Sequence, residues 1–494
     1  MKRCSGWAAW LVPLGLYVFC LPPSVGFWDT AELQTVPYIL GIAHPPGFPV
    51  VCLVGWAFTH LLGAGEVAWR MSLLCALAMS LAAWLIYRIS VDQGANRWCG
   101  SGCAWLFAFG NVAWTRGTRA EVHAFALGLE ALALWLALRW QRDTRQQDLI
   151  WCAFVLGLAA ATHPVVIWIV PGMAVLIGGR WRSIGWHQVA LAILAFVGGL
   201  LPYVYMPWRS AVVFAARLDP TLALGLPAGR PFWDYGHPAT LGNFFWMVSG
   251  AQFEKSTALL AVFDVPNYFR YASIFAGKAL AEMGAFGLLL AAAGVVATLR
   301  SNKRMAAALL LIAFVGVPFA LTYDVEIDRD RYLLTAFWTL SLLAAFGSTA
   351  LVNVAAAHLR KAWAARLSVA AVLAAALTIS LDKNAGLTAQ RFDRSGERFI
   401  ARILAKTPPD AIIVTPWVYA TPLGYAAYVQ HRLSGRTVVT AEPKDIADRF
   451  YAWSRKRPVY IVYYETPALA IPKMKVASVD SAFPALLKAV GDYK

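Results

Sequence analysis

The chain has 494 residues, of which 59% are hydrophobic and only 14% are charged, and its formal net charge is +16. Soluble domains carry about 25% charged residues, so the composition excludes an ordinary soluble protein and predicts an integral membrane protein. The basic residues lie in short loops between apolar runs. This favours contacts with membrane lipids and signals for topology over binding of nucleic acid.

The N-terminus begins with Lys2 and Arg3, followed by an apolar run from Trp7 to Leu21. The pattern is also that of a signal peptide, but cleavage would leave the acidic loop that follows without an anchor. We therefore expect a first membrane span. The seven cysteines lie mostly inside apolar runs, and their spacing predicts neither a zinc site nor a disulfide framework.

Eleven apolar segments approach the roughly 20 residues that a membrane-spanning helix needs. They lie near residues 6–23, 71–90, 98–115, 123–139, 149–163, 164–179, 187–207, 276–299, 305–322, 332–352 and 366–382. His163-Pro164 divides the stretch 149–179, which predicts either two short spans or one broken helix. We expect His163 to be a local cap, with a functional role as the alternative. The apolar stretch 49–63 is too short for a span, so we expect it and a helix near 29–40 on the outer surface.

The loop charges predict the orientation of the chain. With the N-terminus in the cytoplasm, every inner loop is basic and the outer loops carry the acidic residues, as the positive-inside rule requires. A full span at 49–63 would invert all later loops and break this pattern. We therefore predict a multi-pass protein of the plasma (inner) membrane with an external, periplasmic C-terminal part.

The C-terminal region has a different pattern from the rest of the chain. Strand-like runs at 411–415, 436–440 and 458–464 alternate with helix-like stretches near 419–431 and 444–456, which predicts a small α/β domain with a parallel sheet. No glycine-rich loop follows a strand, so we assign no nucleotide. The predicted fold is a polytopic α-helical membrane protein: a membrane domain over 1–382, with external loops at 24–70 and 208–275, and an external α/β domain over 383–494.

The first candidate site residues are Asp29 and Glu32, which directly follow the first span. A spacing of three places both on one helix face. The alternative is a capping box at a helix start. Their position beside Trp28 and the turn His44-Pro45-Pro46-Gly47 favours a chemical role, since a carboxylate there can accept a proton from a hydroxyl or hold a metal.

Two further groups contain charged residues at the predicted ends of spans. Glu121 and His123 follow Arg116 and Arg119 at the outer end of the third span, where interface anchoring is the alternative to function. The turn 323–332 is densely charged and could simply be a solvated loop. It ends in Arg331-Tyr332, however, where an arginine can hold a lipid phosphate.

These motifs resemble the GT-C superfamily of membrane glycosyltransferases, and more narrowly its protein O-mannosyltransferase-like family, formerly a domain of unknown function. The resemblance is carried by residues 29–33 (Asp-Thr-Ala-Glu-Leu), 41–49 (Gly-Ile-Ala-His-Pro-Pro-Gly-Phe-Pro), 119–125 and the stretch 233–253. The resemblance is good over residues 6–300. For the remainder of the chain it is limited to the architecture.

The resemblance implies transfer of a sugar, of the hexosyl or mannosyl class, from a polyprenyl-phosphate donor to an acceptor on the outer face of the membrane. Asp29 would be the catalytic base in an inverting displacement, assisted by Glu32. The residues expected to bind substrate are His44, Glu121, His123, Arg116, Arg119, Arg331 and Tyr332, with the arginines neutralising the lipid phosphate.

The metal dependence, the acceptor and the class of activity each have alternatives. Many GT-C enzymes have adjacent carboxylates or a metal-binding Asp-x-Asp in this loop, whereas this chain has Asp-x-x-Glu. We therefore expect no cofactor and no metal, with a divalent ion as the alternative. The acceptor could be a protein, a lipid or a glycan. A transporter or flippase of a lipid-linked glycan, or an inactive scaffold, are the alternative functions.

Overall fold

A computed structural model describes residues 4–256, 263–323, 329–359, 362–464 and 475–491 of the chain. Within these residues there are twenty α-helices and five strands. The helices are α1 Cys4–Cys20, α2 Trp28–Ile39, α3 Pro49–Leu61, α4 Val67–Asp92, α5 Arg97–Ala108, α6 Asn111–Gly117, α7 Val122–Asp143, α8 Gln146–Thr162, α9 Val170–Gly178, α10 Trp186–Leu200, α11 Tyr205–Ala215, α12 Leu241–Val248, α13 Tyr268–Ser301, α14 Lys303–Phe314, α15 Val317–Thr322, α16 Leu334–Leu359, α17 Ala362–Asn384, α18 Ser395–Lys406, α19 Trp417–Tyr428 and α20 Ala447–Ser454. The strands are β1 Ile412–Thr415, β2 Thr437–Thr440, β3 Val459–Tyr463, β4 Lys475–Asp480 and β5 Ala485–Gly491.

The chain divides into two compact units. The first unit contains residues up to 21, 73–202 and 252–391, and the second contains 22–72, 203–251 and the chain from 392 onward. Compactness thus groups α2, α3 and α11 with the C-terminal sheet. The sequence predicts a boundary at 382/383 between a membrane domain and an external domain. This boundary describes position relative to the membrane, not the division into compact units, and it stays a prediction.

The first unit is built of apolar helices that pack through small residues. The helices α13 and α16 approach so closely that a side chain at Gly294 would lie 1.8 Å from the carbonyl oxygen of Leu343, and one at Gly347 would lie 1.9 Å from that of Leu290. Only glycine permits this distance, and small residues are typical of helix contacts in membranes. The backbones of the two helices are therefore in close contact at this crossing.

The helices confirm a polytopic membrane protein. Among the described residues, six helical segments are long and apolar enough to cross a membrane: Val67–Asp92, Val122–Asp143, Trp186–Ala215, Val265–Ser301, Lys303–Thr322 and Arg329–His358. Helices occupy all eleven predicted segments. The number that cross the membrane, and the orientation of the chain, stay predictions.

Several predicted spans differ in detail from the helices found. The segment 98–115 is broken at Gly110 into α5 and α6, because the carboxylate of Glu282 accepts the backbone N–H of Val112 at 2.9 Å. The segment 149–179 is divided at His163. Both halves contact α7, but α8 packs also on α10, whereas α9 packs mainly on α14. The predicted loop 208–275 begins inside α11.

The C-terminal sheet has the strand order β2-β1-β3-β5-β4. The strands β1, β2 and β3 are parallel, as the sequence predicts, whereas β5 pairs antiparallel with both β3 and β4. The parallel arrangement of the three predicted strands is therefore confirmed, and β4 and β5 are two additional strands that the sequence interpretation missed. The missed strand β4 carries polar and mostly exposed residues, so it lacks the apolar pattern that marks the central strands.

Two helical layers complete the second unit. The core on one face of the sheet includes Phe450 and Trp453 of α20, packed on Ile412 and Ile461. The helix α19 connects β1 to β2 and packs on α2, which carries Asp29 and Glu32. The sheet and α2 therefore belong to the same compact unit. The predicted helices near 29–40 and 49–63 are confirmed as α2 and α3.

Candidate functional site

Asp29 and Glu32 lie on the first turns of α2 in the second unit. The helix begins at Trp28, and its N-cap residue Phe27 makes no side-chain capping bond, so the capping-box alternative is wrong. Asp29 is half-buried, and its Oδ1 accepts a hydrogen bond of 3.0 Å from the indole Nε1 of Trp417. Both carboxylates are thus available for roles other than helix capping.

Glu32 is fully buried and makes an ion pair with His44. Its Oε1 accepts the backbone N–H of His44 at 2.8 Å, and its Oε2 contacts Nδ1 of the same imidazole. Burial raises the pKa of Glu32 above its ordinary value, although the contacts with His44 oppose this shift. The pair fixes the loop that carries His44 to the helix that carries Asp29.

The loop 41–49 is also held from its other side, by the segment 203–251. The backbone N–H of Ile42 donates to the carbonyl oxygen of Trp233 at 3.0 Å, and the hydroxyl of Tyr205 donates to the carbonyl of Gly41. A side chain at Gly41 would lie 1.9 Å from the carbonyl oxygen of Phe232. Two of the stretches that carry the family resemblance, 41–49 and 233–253, are therefore in direct contact.

Aromatic rings surround the acidic residues. The ring of Trp417 stacks on Phe232 at 6.4 Å and meets His44 and Tyr235 edge-on at 5.9 and 6.0 Å. Trp417 comes from the C-terminal domain, and the sequence interpretation missed it. The only signal was a tryptophan two residues after a predicted strand.

Asp29, Glu32 and His44 also offer ligands for a metal ion. One ligand atom from each lies within 4.8 Å of the others, and carboxylates and imidazoles bind divalent ions. Both oxygens of Glu32 already contact His44, so this carboxylate has a partner in the absence of an ion. The expectation that no metal is needed stays a prediction.

A second cluster, which we call the arginine cluster, lies in the first unit around Glu121. The carboxylate lies 3.1 Å from Arg116, 3.8 Å from Arg119 and 2.9 Å from His123 Nδ1. It also accepts the backbone N–H of Val122 at 3.0 Å, which caps α7. Arg116, Glu121 and His123 are all buried within the protein. Interface anchoring stays the alternative to a functional role.

The charge state of Glu121 follows from its neighbours. Burial opposes its ionisation, but His123, Arg116 and Arg331 outweigh this effect and hold the pKa of Glu121 well below its ordinary value. Glu121 is therefore ionised at neutral pH. It gathers three guanidinium groups, from two distant parts of the chain, into one place.

Arg331 and Tyr332 complete the arginine cluster. The guanidinium of Arg331 lies 5.3 Å from the ring centroid of Tyr332, whose ring also meets His123 at 5.0 Å. His163 packs on His123 at 4.6 Å, and its Nδ1 accepts the N–H of Val165 at 3.0 Å. The prediction that His163 is a local cap is thus confirmed. The charged residues predicted at 324–328 lie outside the described residues.

An apolar cavity of about 970 Å³ lies in the same unit. Its lining includes Trp168, Phe275, Phe314 and Pro318. Trp168 packs on Phe319, which in turn meets Tyr332 of the arginine cluster at 5.4 Å. The unit therefore combines guanidinium groups with a neighbouring apolar space large enough for a ligand.

The structure thus gathers the nine predicted site residues into two groups. Asp29, Glu32 and His44 form one group in the second unit, and the other six form the arginine cluster in the first: Arg116, Arg119, Glu121, His123, Arg331 and Tyr332. The roles assigned to them stay predictions.

The sequence matches a protein family model and curated proteins. The family model of the protein O-mannosyl-transferase TMEM260 N-terminal domain matches residues 29–183, a range that begins at Asp29 and includes Glu121 and His123. Over 425 residues, or 81% of this chain, the chain is 25% identical to protein O-mannosyl-transferase TMEM260 of Mus musculus. Over 299 residues, or 57% of the chain, it is 24% identical to the protein of the same name of Dictyostelium discoideum.

The fold has solved counterparts in two structures of ArnT from Cupriavidus metallidurans. One, bound to undecaprenyl phosphate, has a TM-score of 0.56 and 14% identity, and the match covers 99% of this chain and 98% of ArnT. The other, in the apo state, has a TM-score of 0.53 and 15% identity, with 97% and 96% coverage. The chain is thus similar in sequence to protein O-mannosyl-transferases and has the fold of ArnT.

The chain spans only part of the length of the curated relatives that it matches. It spans 57% of the length of the mouse protein and 35% of the Dictyostelium protein in these matches. The likeness to ArnT extends over nearly the whole chain, including the C-terminal sheet domain, and at this level of identity it concerns the fold.

Proposed function

We propose that this chain is a membrane glycosyltransferase that moves a sugar from a polyprenyl-phosphate donor to an acceptor hydroxyl on the outer face of the membrane. Its similarity to two protein O-mannosyl-transferases favours mannose as the sugar and a protein as the acceptor. Its similarity to an ArnT structure that holds undecaprenyl phosphate supports a lipid-linked donor.

One observation carries the proposal: Tyr332 of the arginine cluster contacts Phe319, which packs on Trp168 in the lining of an apolar cavity. A polyprenyl phosphate has an anionic head on a long hydrocarbon chain, so its binding site needs cations next to an apolar space. Arg116, Arg119 and Arg331 supply the cations, and the cavity of about 970 Å³ supplies the space. Guanidinium groups suit phosphate because they offer paired donors in one plane.

The acceptor is activated by Asp29 in this proposal. The carboxylate accepts the proton of the acceptor hydroxyl, and the oxygen attacks the anomeric carbon of the sugar. The bond between that carbon and the phosphate oxygen breaks, and its electron pair leaves with the phosphate. A single displacement inverts the configuration at the anomeric carbon, and it needs no sugar bound covalently to the enzyme.

The leaving group is the lipid phosphate. It gains negative charge as the sugar departs, so cations that are already in place lower the barrier. The proposal assigns this role to Arg331 with Arg116 and Arg119, which Glu121 holds together. Glu32 and His44 then act by orienting Asp29 and the acceptor.

The proposal is tested by following a labelled sugar. Purified protein in lipid is mixed with a panel of radiolabelled polyprenyl-phosphate sugars and a membrane extract as acceptor, without any ion gradient or membrane potential. We expect label to move to the acceptor fraction with one donor, which identifies the sugar. If the donor crosses the bilayer intact, the chain is a flippase. If folded protein consumes no donor, the transferase proposal fails.

A further inference from the structure

The indole of Trp417 contacts the proposed base from the C-terminal sheet domain. Trp417 is the first residue of α19 and follows the end of β1 by only two positions. The strand β1 lies between β2 and β3. The chain therefore passes from β1 to β2 on one side of it and then crosses to β3 on the other side. In open α/β sheets such a strand end is the usual place of a ligand.

In this chain, Trp417, which lies just after the carboxyl end of β1, presents a hydrogen-bond donor to Asp29. The Nε1–H of Trp417 donates to Oδ1 of the carboxylate at 3.0 Å. An indole has one N–H and no acceptor, so it can hold only one carboxylate oxygen. The bond therefore sets the rotation of the carboxylate and the direction in which Asp29 can take up a proton.

The packing around Trp417 fixes the donor itself. Its ring is held by Phe232, His44 and Tyr235 at centroid distances of about 6 Å. The helix α19 is also close to Phe232, because a side chain at Gly424 would lie 2.5 Å from that ring. The indole thus has little freedom to turn away from Asp29.

We propose that Trp417 is a positioning residue for Asp29, and that the C-terminal domain is thereby part of the catalytic apparatus. The inference rests on the proposed function, because it requires Asp29 to be the base. A base that is held in a productive direction accelerates proton transfer, whereas one that rotates freely spends little time in that geometry. Removal of the N–H should lower kcat and leave the KM for the donor unchanged.

Two substitutions at this position separate the hydrogen bond from the packing. Trp417→Phe keeps an aromatic ring but removes the donor. In Trp417→His, the ring Nε2 is separated from Cβ by the same number of bonds as Nε1 of tryptophan, so it can present an N–H at a similar place. The substitution removes the six-membered ring of the indole. We expect Trp417→Phe to lower kcat by about ten- to a hundredfold, the usual loss for a hydrogen bond to a charged group. Trp417→His should recover part of this loss.

Trp453→Phe is the matched control. Trp453 lies in the same unit, and its indole Nε1 donates to the carbonyl oxygen of Leu224, also at 3.0 Å, rather than to Asp29. All variants are compared with wild type in donor turnover, with the KM for the donor and the thermal unfolding midpoint measured alongside. We expect Trp453→Phe to retain a kcat near that of wild type.

The outcomes distinguish this inference from the function on which it rests. If folded wild type consumes no donor, the proposed function fails and the inference falls with it. If wild type is active and Trp417→Phe matches Trp453→Phe in kcat, only the inference is overturned. Equal losses in Trp417→Phe and Trp417→His, or a loss confined to KM, would assign Trp417 to packing or donor binding and also overturn it.

Discussion

Asp29 and Glu32 are only three residues apart, but their surroundings suit them to different tasks. Glu32 is fully buried, and both its oxygens contact His44. Asp29 is half-buried and bonds Trp417 through Oδ1. A group that takes a proton from an acceptor must be reachable by that acceptor. We therefore assign the base to Asp29 and a supporting role to Glu32.

The contacts of Glu32 also predict that transfer needs no divalent metal. Each oxygen of Glu32 already contacts His44, so this carboxylate does not need a metal ion as a partner. We expect wild-type donor turnover to be unchanged after treatment with EDTA and removal of the chelator. Loss of turnover that is restored by added Mg²⁺ or Mn²⁺, with the protein still folded, would contradict this prediction.

Glu121 gives a prediction about stability and pH. Its pKa in the folded protein lies well below the ordinary 4.5, so its ionised form stabilises the fold. The contribution is present above about pH 4.5 and is lost as the pH falls through the lowered pKa. Glu121→Gln leaves Arg116 buried beside a neutral group, which typically costs about 3–5 kcal/mol.

The measurement is the thermal unfolding midpoint of wild type and Glu121→Gln in detergent at several pH values. We expect the midpoint of the variant to be lower by a constant amount between pH 7 and 5, and the difference to narrow below pH 4.5. Glu397→Gln serves as control, because its carboxylate makes a more exposed contact with Arg394 at 3.1 Å. A difference that already vanishes between pH 7 and 5 would show that Glu121 is not held ionised.

At the scale of elements, the close contact of the loop 41–49 with the segment 203–251 depends on Gly41. A methyl group there would overlap the carbonyl oxygen of Phe232 at 1.9 Å, so the loop or the neighbouring backbone must move. Because His44 is on this loop, the movement would also disturb its ion pair with Glu32. We expect Gly41→Ala to reduce both stability and donor turnover.

Gly63→Ala is the matched control for this substitution. Gly63 lies in the same unit, and a Cβ atom there would have no atom within 4 Å. The thermal midpoint and turnover of both variants are compared with wild type. A Gly41→Ala protein that matches Gly63→Ala in both measurements would refute the role given to this contact.

The elements also show what the sequence could and could not predict. The helices α2 and α3 and the strands β1 to β3 follow from local apolar patterns, so their positions were predictable. The break at Gly110 depends on Glu282, which is far away in the sequence. The bond between Trp417 and Asp29 joins residues 388 positions apart, and no local pattern encodes such a pair. Asp29 and Glu32 were predictable as candidate site residues from their spacing and position after the first span, whereas their separate roles came only from the family resemblance.

At the scale of the whole molecule, the apolar cavity predicts how the donor lipid binds. Ala276 of α13 lines the cavity, and a tryptophan there would fill part of its volume. Each buried methylene group of a lipid contributes about 0.8 kcal/mol, so the loss of a few contacts raises KM appreciably. We expect Ala276→Trp to raise the KM for the polyprenyl donor about tenfold or more, with little change in kcat.

Ala292→Trp provides the comparison, since Ala292 is an exposed residue of the same helix that does not line the cavity. The test is steady-state kinetics with a long-chain donor and with a donor that carries a shortened lipid. The defect of Ala276→Trp should shrink with the short lipid. An unchanged KM for the long-chain donor would mean that the lipid binds elsewhere.

The central claim is that Asp29 of a multi-pass, GT-C-like membrane protein removes a proton from an acceptor during sugar transfer. It is tested most directly by comparing donor turnover and donor binding in wild type and Asp29→Asn, after unfolding midpoints confirm that both are folded. The account predicts that Asp29→Asn binds the labelled donor as wild type does but transfers its sugar at least about a hundredfold more slowly. Equal turnover by the two proteins would contradict it.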